Sequence, residues 1–227
     1  IEALYITRSM ENRAETLAKE VEEAGDRLTM MNKLSNLSLQ LYSWYINLGH
    51  ARGDKDRIAI KAFFESNLPT TAGLYNGFYE KHYLYESYCW YGFILQDLLM
   101  YYRYCQKWVD AFEQEPLMKK VDTPLYIKGL HNLLNAHFVL QNYDKFNTVL
   151  DKFEHFYHSK QANSNDNNRV QCFIYLYTAK LNKHFLEGSF TAGLKLIPEI
   201  EEKIIEFRLK MDRHRVLVFY YKIACLY

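Results

Sequence analysis

A start signal recurs along this chain at nearly constant intervals, and that spacing constrains the fold more than any other feature. Small polar clusters open long apolar-periodic segments at Gly25-Asp26, Thr70-Thr71, Asp122-Thr123-Pro124, Asn167-Asn168 and Met211-Asp212. Counted from Asp26, Thr71, Asp122, Asn167 and Asp212, the steps are 45, 51, 45 and 45 residues. A second signal falls near the middle of most intervals, at Gly53-Asp54, Asn142-Tyr143 and Gly188-Ser189. Two helical segments per repeated unit describe a stacked array of helix hairpins, in which each unit buries its apolar face against its neighbours. Such arrays present long surfaces to partners, so the expected function is binding.

Apolar periodicity supports helices throughout. Met10, Ala14, Leu17, Val21 and Ala24 recur in alternating steps of four and three, which is one helix face. Leu130, Leu133, Leu134, His137 and Phe138 form another, and Tyr143, Phe146, Leu150 and Phe153 a third beyond the turn at Asn142. No segment sustains the period-two alternation of a half-buried strand. The predicted helices are 2–24, 27–49, 54–67, 73–100, 103–115, 124–141, 144–159, 168–187, 190–210 and 213–227. Pro69, Pro116 and Pro124 fall outside helices or in a first turn, whereas Pro198 is expected to kink its helix. The fold class is therefore all-α: an α-solenoid of about five stacked antiparallel hairpins in a right-handed superhelix, one array over residues 1–227.

Bulk properties remove several function classes. There are 28 basic and 27 acidic residues, net +1, which argues against a nucleic-acid stripe or a polybasic membrane anchor. The most apolar stretch, Tyr88–Tyr104, is interrupted by Gln96, Asp97 and Arg103 and is too short to span a membrane. Cys89, Cys105, Cys172 and Cys225 lie far apart inside apolar patterns, as buried thiols of a reducing compartment, so a cytoplasmic location is expected. His155 and His158 share a helix face, but a metal site needs three or four ligands and none follow at suitable spacing. His137 and His184 occupy matching places before their turns and read as satisfied interhelix histidines. No phosphate loop or nucleophile elbow exists. Hence no enzyme, no cofactor and no metal are expected. The chain opens on Ile1 and ends in an apolar helix with no partner, so it reads as a piece of a longer protein. The face Val216, Phe219, Tyr220 and Ile223 would then lack cover and is expected to form a dimer contact.

The central turns resemble those of tetratricopeptide repeats, whose second helix opens on a Gly-Asp-aromatic type of turn. Gly53-Asp54-Lys55-Asp56-Arg57-Ile58, Gln141-Asn142-Tyr143-Asp144-Lys145-Phe146 and Gly188-Ser189-Phe190-Thr191-Ala192-Gly193 fit it, and Gln106–Phe112 carries a degenerate version. The units exceed the ~34-residue period of that family, and HEAT-type repeats of ~40–47 residues remain an alternative. The resemblance implies a concave groove lined by the first helix of each hairpin. With Lys55, Tyr143 and Phe190 taken as equivalent, the residues eight before them are Asn47, Asn135 and Asn182. One and two turns earlier come Ser43 and Gln40, His131 and Lys128, and Thr178 and Tyr175; the hairpin aligned on Cys105 places Asp97, Phe93 and Trp90 there.

Side-chain amides can clamp an extended peptide backbone through paired hydrogen bonds. The candidate groove is therefore Asn47, Trp90, Asp97, Lys128, His131, Asn135, Tyr175 and Asn182, with a protein or peptide segment as partner and neither nucleic acid nor membrane. The bland reading of the asparagines is that they bridge neighbouring helices, and of Trp90 and Phe93 that they are core. Long units of this kind also resemble the helical regions of bacterial sensors and regulators. The rival function is accordingly a structural or dimerisation module of a bacterial signalling or transcriptional regulator whose effector domain lies outside this chain.

Overall fold

The computed structural model describes residues 11–70, 77–209 and 213–227, which form helices joined by turns with no strand among them. The chain divides into two compact units, Ile1–Asp97 and Leu98–Tyr227.

The first unit holds α1 (Glu11–Leu48), α2 (Asp54–Asn67) and α3 (Phe78–Leu95). The expected turn at Gly25-Asp26 does not exist: α1 runs through it without a break. One interior glycine costs a helix only about 1 kcal/mol, and no described side chain from Arg13 to Thr29 is buried by packing that would reward a turn. The face Ala14, Leu17, Val21 and Ala24, expected to be core, is instead half-buried or exposed; Met10 lies outside the described residues. Core packing begins at Met30 and continues through Leu34, Leu37 and Leu41. These meet α3, which runs parallel to α1: the Arg27 Nε donates to Glu80 at 2.7 Å, and the Ser87 hydroxyl donates to the Leu34 carbonyl at 3.2 Å. From α2, Phe64 stacks on Tyr91 with ring centroids 4.1 Å apart.

The second unit holds α4 (Leu98–Gln114), a short turn α5 (Met118–Val121), α6 (Thr123–Val139), α7 (Tyr143–Tyr157), α8 (Asp166–Glu187), α9 (Phe190–Leu194), α10 (Ile197–Glu206) and α11 (Arg213–Leu226). The helix expected over 73–100 ends early. Gln96 takes the left-handed conformation, φ 57°, and the Asp97 N–H donates back to the Gly92 carbonyl at 2.9 Å, which closes α3. The segment 190–210 is also interrupted: α9 stops at Leu194, and Pro198 sits in the first turn of α10, where its missing N–H costs nothing. Asn142 and Asn165 cap α7 and α8 by accepting from Lys145 N–H and Asn168 N–H, and Gly188 ends α8 at φ +66°.

Helices pack in two layers within this unit. α6 and α7 are antiparallel, with Tyr126 edge-on to Phe156 at 4.9 Å. α7 and α8 are antiparallel too, since Tyr157 meets Tyr177 at one end and Tyr143 donates to Glu187 at the other. α10 lies antiparallel on α8 through Phe173–Phe207 and a Tyr177–Glu199 hydrogen bond. α6, α8 and α11 thus form one layer, joined by His131–Tyr175 and Phe173–Phe219 ring contacts. On α11, Val216, Phe219 and Ile223 are buried in this packing. They are not the open face expected from the sequence; of that set only Tyr220 is exposed.

Candidate ligand-binding face

Five of the eight sequence-derived candidates belong to the layer α6–α8–α11, and they are held there by helical spacing. Lys128, His131 and Asn135 lie at steps of three and four on α6, one above another, and Tyr175 and Asn182 at a step of seven on α8. The His131 ring stacks on Tyr175 with centroids 4.0 Å apart and planes within 14°. Its Nε2 lies 3.0 Å from the Asn135 Nδ2. With the amide donating, Nε2 is the unprotonated nitrogen, which requires a neutral ring. Desolvation, with the Lys222 and Lys128 charges added, holds the His131 pKa down to about 4 and so accounts for that neutrality.

Lys222 of α11 completes the face. Its ammonium donates to the Asn182 Oδ1 and lies 5.9 Å from the Phe138 ring centre and 6.0 Å from that of Phe185. Burial lowers its pKa from the ordinary lysine value. A half-buried cation is thus balanced by one neutral amide and two aromatic faces, a weak substitute for an anion. Lys128 adds a second charge above the Trp108 indole, 5.8 Å from its centre. Trp108 itself is locked by donating from Nε1 to the Leu125 carbonyl at 3.2 Å.

The asparagines are not equivalent in space. Asn182 is 3% exposed, and its oxygen holds Lys222 instead of facing solvent. Asn135 is half-buried and orients His131, whereas the exposed Asn47 donates only to Ser43 of its own helix, at 3.3 Å. Asn47, Trp90 and Asp97 belong to the first unit. There Trp90 sits half-buried among Tyr42, Tyr45 and Phe93, at centroid distances of 5.1, 5.8 and 6.2 Å, and Asp97 is exposed beside the break after α3. Thr178, expected on the polar stripe, is buried with no hydrogen-bond partner for its hydroxyl. Sequence reasoning missed Lys222, Phe138 and Phe185. The alignment on central turns did not include α11, although a lone lysine in the apolar run Val216–Tyr227 is itself a signal.

His155 is exposed, with Nδ1 2.7 Å from the Asp151 carbonyl of its own helix. His184 bonds the Ser189 hydroxyl at 2.8 Å, but the buried Nδ1 of His137 has no partner, so only His184 is satisfied as expected. Cys89, Cys105 and Cys172 are buried, and burial pushes the Cys172 thiol up to about 12; Cys225 is exposed. Among the described residues no helix is long and apolar enough to cross a membrane. Compared with family models, with curated proteins and with solved structures, the chain matches none.

Proposed function

We propose that the α6–α8–α11 face binds an extended, acidic peptide segment, and that the hairpins are tetratricopeptide-like units of a right-handed solenoid whose inner wall this face forms. The observation that carries the reading is Lys222, a half-buried ammonium with lowered basicity whose acceptor is an uncharged amide. A carboxylate on the ligand would supply the counter-charge that Asn182 lacks, and Lys128 would extend the attraction along α6. His131 and Asn135 offer hydrogen-bonding groups to the peptide backbone, and Tyr175 a flat surface for a side chain. The role is that of a scaffold or sensor region acting on a protein partner, working in the cytoplasm and without catalysis.

Fluorescence anisotropy with labelled decapeptides of acidic, neutral and basic composition tests this. Acidic peptides should bind at least tenfold more tightly than neutral ones, with affinity falling as salt rises, and Lys222→Met should remove that preference. Equal binding of all three compositions, or an acidic preference surviving in Lys222→Met, would sink the reading. The rival reading, a dimerisation module of a bacterial regulator, is favoured by a different observation on α1.

A further inference from the structure

In the N-terminal half of α1 no described side chain is buried, although Arg27 reaches α3 through its bond to Glu80. Every described side chain from Arg13 to Thr29 is exposed or only half-buried, with Val21 at 60% and Leu28 at 56% exposure. Helices of this length are marginal in water by themselves and gain most of their stability from burying an apolar face. Here the face exists and stays open. Ala14, Leu17, Val21, Ala24, Leu28 and Met31 recur strictly at steps of three and four, a seven-residue period. A globular helix following the natural 3.6-residue turn drifts off such a line within a few turns, whereas a strict seven-residue repeat keeps the seam facing one partner helix. The outward positions complete the pattern: Glu15, Thr16, Lys19, Glu22, Glu23 and Asp26 are all polar.

We infer that this seam is a dimer interface, occupied by the same helix of a second copy running antiparallel in a short two-stranded coiled coil. Charge selects both the partner and the direction. Antiparallel pairing that sets Ala14 against Met31, Leu17 against Leu28 and Val21 against Ala24 places Glu20 beside Arg27 of the second copy, twice by symmetry. Parallel in-register pairing would set Arg13 against Ala18 and Glu20 against Gly25, with no charge satisfied. Arg27 already donates its Nε to Glu80 of its own chain, which fixes the arm and leaves the other guanidinium N–H groups for a second carboxylate. The small Ala24 opposite Val21 lets the helices approach closely. None of this rests on the peptide-binding reading.

Sedimentation equilibrium of the 227-residue chain from about 1 to 100 µM tests the inference. The apparent mass should rise to twice the monomer value, and Val21→Asp with Leu28→Asp should hold the chain monomeric with its melting temperature within a few degrees. A monomer throughout, or a dimer indifferent to that double substitution, overturns the interface. Direction is read by oxidative cross-linking in a Cys225→Ser background. Ala14→Cys with Met31→Cys should give a covalent dimer, and Ala14→Cys alone should not, because antiparallel pairing separates the two copies of that position by 17 residues, about 25 Å of helix. A dimer linked through Ala14→Cys alone would overturn the antiparallel arrangement. Peptide binding by the monomeric double variant should be unchanged, which separates the fate of this interface from that of the α6–α8–α11 face.

Discussion

His131 makes the second unit acid-sensitive in a way that can be isolated. Its folded pKa of about 4 lies well below the ordinary value of 6.5, because the ring is desolvated against Tyr175 and faces the Lys222 and Lys128 charges. A depressed base means that the folded state takes up its proton later than the unfolded chain does. The associated stability is therefore fully present above pH 6.5 and is lost as pH falls toward 4. The difference of about 2.5 pKa units corresponds to roughly 3 kcal/mol over the whole window, of which about 2.5 kcal/mol is lost by pH 4.5. His131→Phe keeps a flat ring on Tyr175 and removes the titration. Urea unfolding at pH 7 and pH 4.5 should show the native chain losing about 2.5 kcal/mol more than this variant. The comparison cancels the carboxylates common to both chains, such as Glu113 and Glu154, whose pKa values are lowered by their lysine partners. A difference below about 0.5 kcal/mol would show that the ring titrates freely, and the tight stack over Tyr175 would be refuted with it. An acidic peptide bound beside Lys222 should raise the His131 pKa, visible in the ring proton shifts by NMR.

Two further outcomes test the packing of the same unit. Phe146 is 0% exposed on α7, a helix that packs against both α6 and α8, so Phe146→Ala should cost about 3–5 kcal/mol in denaturant unfolding, and a loss below about 1 kcal/mol would mean that the hairpin is misregistered. A Cβ on Gly129 would lie 2.9 Å from the Trp108 Nε1 and 3.0 Å from its Cδ1, so Gly129→Ala should cost about 1–3 kcal/mol and shift the Trp108 emission; unaltered stability and emission would show that the indole can move aside.

The helices most legible in the sequence are those whose ends carry their own chemistry. α2 coincides with its expected bounds, and α7 and α8 begin within two residues of theirs, because Gly53, Asn142, Asn165 and Gly188 cap or close the chain locally. Where the ending depends on a left-handed residue that is not glycine, as at Gln96, composition carries no mark of it. The Gly25-Asp26 pair misled for the opposite reason, since a turn signal creates a turn only if the two halves have somewhere to pack. The candidate face was half legible. Helical period alone aligned Lys128, His131 and Asn135 on α6, and Tyr175 and Asn182 on α8. That Asn182 would be buried under Lys222, forty residues further on, was beyond any local pattern.

The sequence by itself determined the all-helical class, the positions of the capped turns and the polar stripe on α6, since each follows from backbone hydrogen bonding and the 3.6-residue turn within a few neighbouring residues. It also wrote the heptad seam of α1. Only the tertiary structure decided which of these faces were covered. Burial is a property of what arrives from elsewhere in the chain: α3 covers Leu34 and Leu41 but leaves Val21 open, and α11 brings Lys222 to Asn182, turning an apparent row of amides into a half-buried cation in need of an anion.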